Sequence, residues 1–168
     1  MSRGGWSIRK LIVTCHCVEM LALAVWAGGL VSIIAAVIPA IFNIPITIEA
    51  TGRLLTKTFH GYDQLVLVSA GALMLSMLVR GVVAKDLISK PELAVVGLMV
   101  MLALGVTVYL NPEVVRLQEL VFATRDIDAK KAAYDAFFKY HWIARALYLI
   151  NLGLGMTLLC MKVRNWAR

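Results

Sequence analysis

The chain has 168 residues, of which 61% are hydrophobic, and it carries a formal net charge of +7. Soluble proteins contain about 45–50% apolar residues, so this composition excludes an ordinary soluble domain and is typical of a membrane protein. The length corresponds to one domain, and we predict a single transmembrane domain over residues 1–168. Lys and Arg accumulate in the cytoplasmic loops of membrane proteins, so we attribute the positive charge to membrane topology and predict no nucleic-acid partner. The predicted partner is the lipid bilayer.

The first apolar stretch, residues 11–42, predicts a membrane-spanning helix. Residues 20–42 carry no charge, and about 20 apolar residues span a bilayer core. A secretory signal has only about 7–15 apolar residues, so we predict a retained helix. Small residues recur at every fourth position of this stretch and let membrane helices approach closely. We therefore predict that the bundle packs on this small-residue ridge, which consists of Ala24, Gly28, Ser32, Ala36 and Ala40.

Three further apolar stretches predict spans at residues 62–84, 92–110 and 142–162. Between the spans, residues 43–61 and 112–124 alternate apolar and charged side chains, which is typical of helices lying in the membrane interface. The predicted fold class is all-α: an integral membrane four-helix bundle with two short interfacial amphipathic helices.

Local signals refine these boundaries. Pro91 occupies a favoured first helical position, and Asp126 or Asp128 can cap a long fourth helix that starts near Ala129, well before its span. Pro39 is expected to bend the first helix near its outer end.

The distribution of positive charge predicts the topology. The segments 1–10, 80–90 and 162–168 together hold nine Lys or Arg residues. The positive-inside rule then places these segments, and both termini, in the cytoplasm. We expect a multi-pass protein of the bacterial plasma (inner) membrane.

Ionisable residues inside spans are costly and usually functional. Glu19 is the only acid in the first helix, and Arg80 enters from the same side, so we predict that they form a structural intramembrane pair. His16 lies three residues before Glu19 and shares its helix face. The alternative hypothesis is an ion or proton site made by His16 and Glu19.

A second group of polar residues lies towards the other membrane surface. His60 and His141 open the second and fourth helices, and two histidines on separate helices can ligate haem or a metal. The alternative is that both histidines bond water or headgroups. Asp63 and Arg145 are a further candidate pair, and Asn151 is expected to bond another helix.

Other residues give weaker signals. Cys15, His16 and Cys17 fan out on a helix and cannot all face one ion. Methionine fills apolar cores routinely, so core packing is the expected role of Met74, Met77, Met99 and Met101. No cofactor is predicted, and haem is the alternative.

Several short motifs, in order along the chain, resemble the bacterial relatives of transmembrane protein 205, which are four-helix membrane proteins with an uncharacterised domain. They are Trp26-Ala27-Gly28-Gly29, Pro39-Ala40-Ile41-Phe42, Gly52, Phe59, Tyr62, Tyr109, Asn111-Pro112, Phe137-Phe138 and His141. The resemblance implies a four-helix bundle and no reaction. A more distant similarity is to copper-resistance D-type membrane domains and to membrane protoporphyrinogen oxidases, and the oxidases are associated with haem. Where the copper-resistance type carries a histidine, seven residues before Trp26, this chain has Glu19.

Nothing in the sequence resembles a nucleophile with its base, a phosphate loop or a zinc-protease motif. We therefore expect a non-catalytic integral membrane protein, either stand-alone or an accessory subunit packed against other membrane subunits or itself. One alternative is a haem- or metal-binding protein using His60 and His141. The other is a small ion or proton-coupled transporter acting through His16 and Glu19.

Overall fold

The computed structural model describes residues 3–83 and 88–166, with side chains for 8–83 and 88–165. These residues form helices and no strand. Two π-helical turns, Ile33–Val37 and Val106–Leu110, interrupt otherwise α-helical stretches. The α-helices are α1 (Arg3–Ser32), α2 (Ile38–Phe42), α3 (Ile48–Val83), α4 (Lys90–Gly105), α5 (Asn111–Ala123) and α6 (Ile127–Trp166).

Four helical stretches are long and apolar enough to cross a membrane. They are Ile8–Phe42, Ile48–Val83, Lys90–Ala123 and Ile127–Asn165. In lipid, a helix satisfies all its backbone groups internally, so apolar runs of this length are stable as helices there. The predicted fold class, an all-α protein with four spanning helices, is confirmed. The predicted end of the second span at Ala84 and the adjacent basic loop residue Lys85 lie outside the described residues.

The helices begin where the sequence provides caps. The Ser89 hydroxyl accepts a hydrogen bond from the Glu92 amide at 3.4 Å, and Pro91 stands in the first turn of α4. A carboxylate oxygen of Asp126 accepts a hydrogen bond from the Ala129 amide at 2.8 Å. These bonds satisfy amides that have no partner inside the helix.

Both π turns stand directly before a proline. The amide of Ile38 bonds the Ile33 carbonyl, five residues back, and Asn111 bonds Val106 in the same way. Pro39 and Pro112 each follow one residue later. A proline ring clashes with the carbonyl four residues before it, and the wider π turn gives that carbonyl room.

The predicted interfacial segments do not form separate helices. Residues 48–61 are the first turns of α3, and α5 continues from the second π turn without a break. Gly52 does not interrupt α3; it provides a close approach to α5, since a Cβ there would lie 2.9 Å from Gln118 Nε2. The Thr56 hydroxyl also donates to Gln118 Oε1 at 2.6 Å. The two segments therefore pack on each other, and their position at a membrane interface stays a prediction.

The core is built from all four stretches, and it does not use the small-residue ridge of α1. Leu23, Leu73, Met99 and Leu158 are completely buried and belong to one cluster. From the first spanning stretch, that cluster takes the large side chains Leu23, Trp26, Leu30 and Ile33 together with Ala22.

The prediction that the bundle packs on the small-residue ridge is therefore wrong for contacts within the chain. A Cβ on Gly28 would meet nothing within 4 Å, whereas one on Gly29 would lie 3.1 Å from Tyr62 Cε2. Larger side chains bury more apolar area and occupy the core instead. All five residues of the ridge are exposed: Ala24, Gly28, Ser32, Ala36 and Ala40.

Candidate functional site

Four charged side chains meet inside the bundle, one from each spanning stretch. They are Glu19 on α1, Arg80 on α3, Glu92 on α4 and Lys162 on α6, and none is more than 6% exposed. We call this group the charge cluster. Four antiparallel helices bring these positions to one end of the bundle, although they are far apart in sequence.

The contacts of the charge cluster alternate in sign. Lys162 Nζ donates to Glu19 Oε2 at 2.5 Å and to Glu92 Oε1 at 2.6 Å. Arg80 Nη2 donates to Glu92 Oε1 at 2.8 Å. The fourth contact joins Arg80 Nε and Glu19 Oε1, which lie 2.9 Å apart. Neither atom has an aligned hydrogen bond, so this contact is an ion pair without a hydrogen bond. Two acids and two bases sum to zero, which is how buried charges are tolerated in a bilayer.

His16 lies at the edge of the charge cluster. Its Nδ1 is 3.6 Å from Glu19 Oε2, and its side chain is 20% exposed. Arg80 Nη1 faces the imidazole at 3.1 Å from Nε2 and 3.3 Å from Nδ1. The structure therefore brings both candidate sites, the Glu19–Arg80 pair and the His16–Glu19 site, into one place.

Sequence reasoning missed Glu92 and Lys162. Glu92 follows Pro91 in the first turn of α4, and Lys162 follows a long uncharged run, so both resembled residues at the membrane surface. Their signal was position: each stands at the same end of the bundle as Glu19 and Arg80.

A second polar group surrounds Asp63 on α3. Asp63 is 2% exposed. Its Oδ1 accepts a hydrogen bond from the Tyr148 hydroxyl at 2.6 Å, and its Oδ2 accepts one from Asn111 Nδ2. Asn111 Nδ2 also donates to the Tyr148 oxygen at 2.8 Å. These partners come from α6 and from the first residue of α5.

The candidate pair of Asp63 and Arg145 does not form. The Arg145 guanidinium lies over the Trp142 ring, 5.8 Å from its centre. Among the residues that the structure describes, no Lys or Arg lies within ion-pair distance of Asp63. The carboxyl is therefore held by neutral donors alone.

A narrow crevice opens beside Asp63, and we call it the polar crevice. Its polar lining consists of Asp63, Thr107, Tyr148 and Asn151. Asn151 Nδ2 donates to the Met99 carbonyl at 3.1 Å, which joins α6 to α4, while its Oδ1 has no partner. Trp26 and Tyr62 also line the crevice, and the Tyr62 hydroxyl donates to the Trp26 carbonyl at 3.0 Å.

The two histidines of the haem or metal hypothesis have different neighbours. His60 is exposed and its Nε2 lies 3.3 Å from Gln64 Nε2. His141 is half-buried and stacks on Phe137 with ring centres 5.3 Å apart. Each of these contacts lies within the histidine's own helix, and no group of three or more His, Cys, Asp or Glu placed to hold a metal occurs in 3–83 and 88–166.

The sulfur-containing residues are divided between core and surface. Met77 and Met99 are buried in the core, whereas Met74 and Met101 are exposed. Cys15 is buried, and Cys17 is exposed on another side of α1. The expected role in core packing therefore holds for Met77 and Met99 and not for Met74 and Met101.

The family model described as a domain of unknown function (DUF4149) matches residues 21–122. This stretch includes Arg80, Glu92, Asp63 and Asn111, while Glu19 and all of α6 lie outside it. No curated protein and no solved structure matches the chain. The prediction of an uncharacterised membrane domain is confirmed, and the specific resemblance to transmembrane protein 205 stays a prediction.

Proposed function

This chain belongs to the DUF4149 family, a domain of unknown function, and we propose that it is a non-catalytic integral membrane protein that associates with other membrane helices. The charge cluster is the observation that carries this proposal. Each acid in it contacts both bases, and the cluster is neutral as a whole. Glu19 pairs with Arg80 and Lys162 and so helps to hold the four helices together. This favours a structural role over a proton pathway through His16 and Glu19.

The outward position of the small-residue ridge supports a partner. Small residues drive association of membrane helices because they let backbones approach closely, yet none of these five contributes to the core of this chain. The partner is a second copy or another subunit of a larger membrane complex.

We expect a cysteine at Ser32 to form a disulfide with a neighbouring chain in native membranes. Cys15, Cys17 and Cys160 would first be replaced by Ala. The matched control is a cysteine at Val68 on α3, which is 72% exposed. Ser32 and Val68 lie along their helices at similar distances from Glu19 and Arg80, roughly 18–20 Å at the helical rise.

Oxidative cross-linking followed by gel electrophoresis measures the result. A cross-linked species that forms with the cysteine at Ser32 but not with the one at Val68 supports association through the ridge, whether it joins two copies of this chain or this chain and a different subunit. Equal cross-linking at Val68 would indicate random collision. Absence at both positions would exclude a second copy packed on this ridge.

We further propose that the protein lies in the bacterial plasma membrane with both termini in the cytoplasm, as the positive charge distribution favours. A membrane-impermeant thiol reagent added from outside should label a cysteine at Asp128, which is exposed in the first turn of α6. It should not label one at Asp86. The reverse labelling pattern would invert the orientation.

A further inference from the structure

We propose that the polar crevice binds a single positive charge, delivered to Asp63 as a proton or as a sodium ion. The first argument is electrostatic. A carboxylate moved from water into an apolar medium is so unfavourable that such groups are paired or neutralised. Glu19 and Glu92 are each paired with two cations, whereas Asp63 is buried as deeply among neutral donors.

The groups facing Asp63 do not supply that charge. Tyr62 and Tyr148 are neutral phenols, and Asn111 is an amide. His60, one turn earlier on α3, is exposed, contacts Gln64 and acts on Asp63 only through charge at longer range, without an ion pair. Arg145, one turn before Tyr148 on α6, stacks on Trp142. On α5, Arg116 is paired with Glu113 at 2.5 Å.

An independent observation comes from Asn151. This residue is 5% exposed and lines the same crevice as Asp63, and its Oδ1 has no hydrogen-bond partner. A buried amide oxygen without a donor is unfavourable. A protonated Asp63, through one water molecule, would supply a donor, and a sodium ion between the two residues would use both oxygens as ligands.

Thr107 is a further polar residue of the crevice. It lies in the π turn Val106–Leu110, and its hydroxyl adds an oxygen atom to those of Asp63 and Asn151 among the lining residues.

The size of the crevice restricts the ligand class. Its open space is on the scale of one water molecule. A proton with one water fits this space, and so does a dehydrated sodium ion. An organic substrate does not fit.

Infrared spectroscopy of the purified protein in detergent at neutral pH tests the proposal, with NaCl compared against choline chloride. Protonated carboxylic acids have a carbonyl stretching band that carboxylates lack. If the proton is the ligand, this band is present in both salts. If sodium is the ligand, the band is absent in NaCl and the melting temperature falls when choline replaces sodium.

Two variants assign the signals to this site. Asp63→Asn is nearly isosteric and neutral, so it should remove the band or abolish the sodium response. Tyr148→Phe keeps the carboxyl but removes its donor, so it should shift the band without removing it. If the wild-type protein has no protonated band and its melting temperature does not respond to sodium, Asp63 is an unliganded carboxylate and the proposal is overturned. A band or sodium response that Asp63→Asn leaves intact would overturn it equally.

Discussion

Glu19→Gln and Arg80→Met are each expected to lower the free energy of unfolding by about 3–5 kcal/mol, because removing one member of a buried ion pair leaves the other uncompensated. Both side chains are almost completely buried, so water cannot solvate the remaining charge. Reversible unfolding in mixed micelles measures the loss.

Two double variants provide the matched comparison. Glu19→Gln with Arg80→Met removes one charge of each sign and leaves Lys162 Nζ 2.6 Å from Glu92 Oε1, so much of the stability should return. Glu19→Gln with Glu92→Gln removes two acids and leaves Arg80 and Lys162 facing each other as unpaired cations. This second variant should be less stable than any single one.

The same measurement separates a structural role from a proton site. A Glu19 that exchanges protons during transport would tolerate Gln with unchanged or higher stability. Strictly additive losses in the charge-balanced double variant would mean that Glu19 and Arg80 do not stabilise each other.

The second large effect is expected at adjacent glycines on α1. Gly29→Leu should destabilise the bundle by about 1–3 kcal/mol, the usual cost of overpacking a core. Even a Cβ at Gly29 would lie 3.1 Å from the ring of Tyr62, which is 4% exposed and fixed by its bond to the Trp26 carbonyl. The added Leu atoms would have to displace that ring.

Gly28→Leu is the control, since its side chain enters open space. Replacing Gly by a better helix former favours the helix by up to about 1 kcal/mol, so this variant should unfold at the same temperature as wild type or a higher one. If Gly28→Leu destabilised monomeric protein as strongly as Gly29→Leu, the assignment of the two helix faces would be wrong.

The four spans and the meeting of Glu19 with Arg80 follow from rules that act along one helix. Run length decides what crosses a bilayer, and a lone acid in an apolar helix needs a compensating charge. To predict that Glu92 and Lys162 join the charge cluster, one must know how the helix ends align. That alignment depends on packing between distant segments. Their position at this end of the bundle could be inferred from the sequence, but that they face inward follows only from the packing of α4 and α6 with the other helices.

Two other errors have the same origin. The spacing of Gly28 and Ser32 indicates that something can approach closely, but it does not say whether the neighbour belongs to the same chain. Trp26 and Leu30 have an equally regular spacing and occupy the core instead. Likewise, Asp63 could be paired with Arg145 by depth alone, and only the orientation of α6 brings Tyr148 to it.

The charge cluster becomes complete only late in the synthesis of the protein. Lys162 follows Glu92 by 70 positions and Glu19 by 143, so it is synthesised last of the four. Until α6 inserts, the nascent bundle holds two carboxylates and one guanidinium, with one negative charge uncompensated. The last helix therefore converts an electrically incomplete intermediate into a neutral one. A chain arrested before Lys162 would keep that negative charge uncompensated.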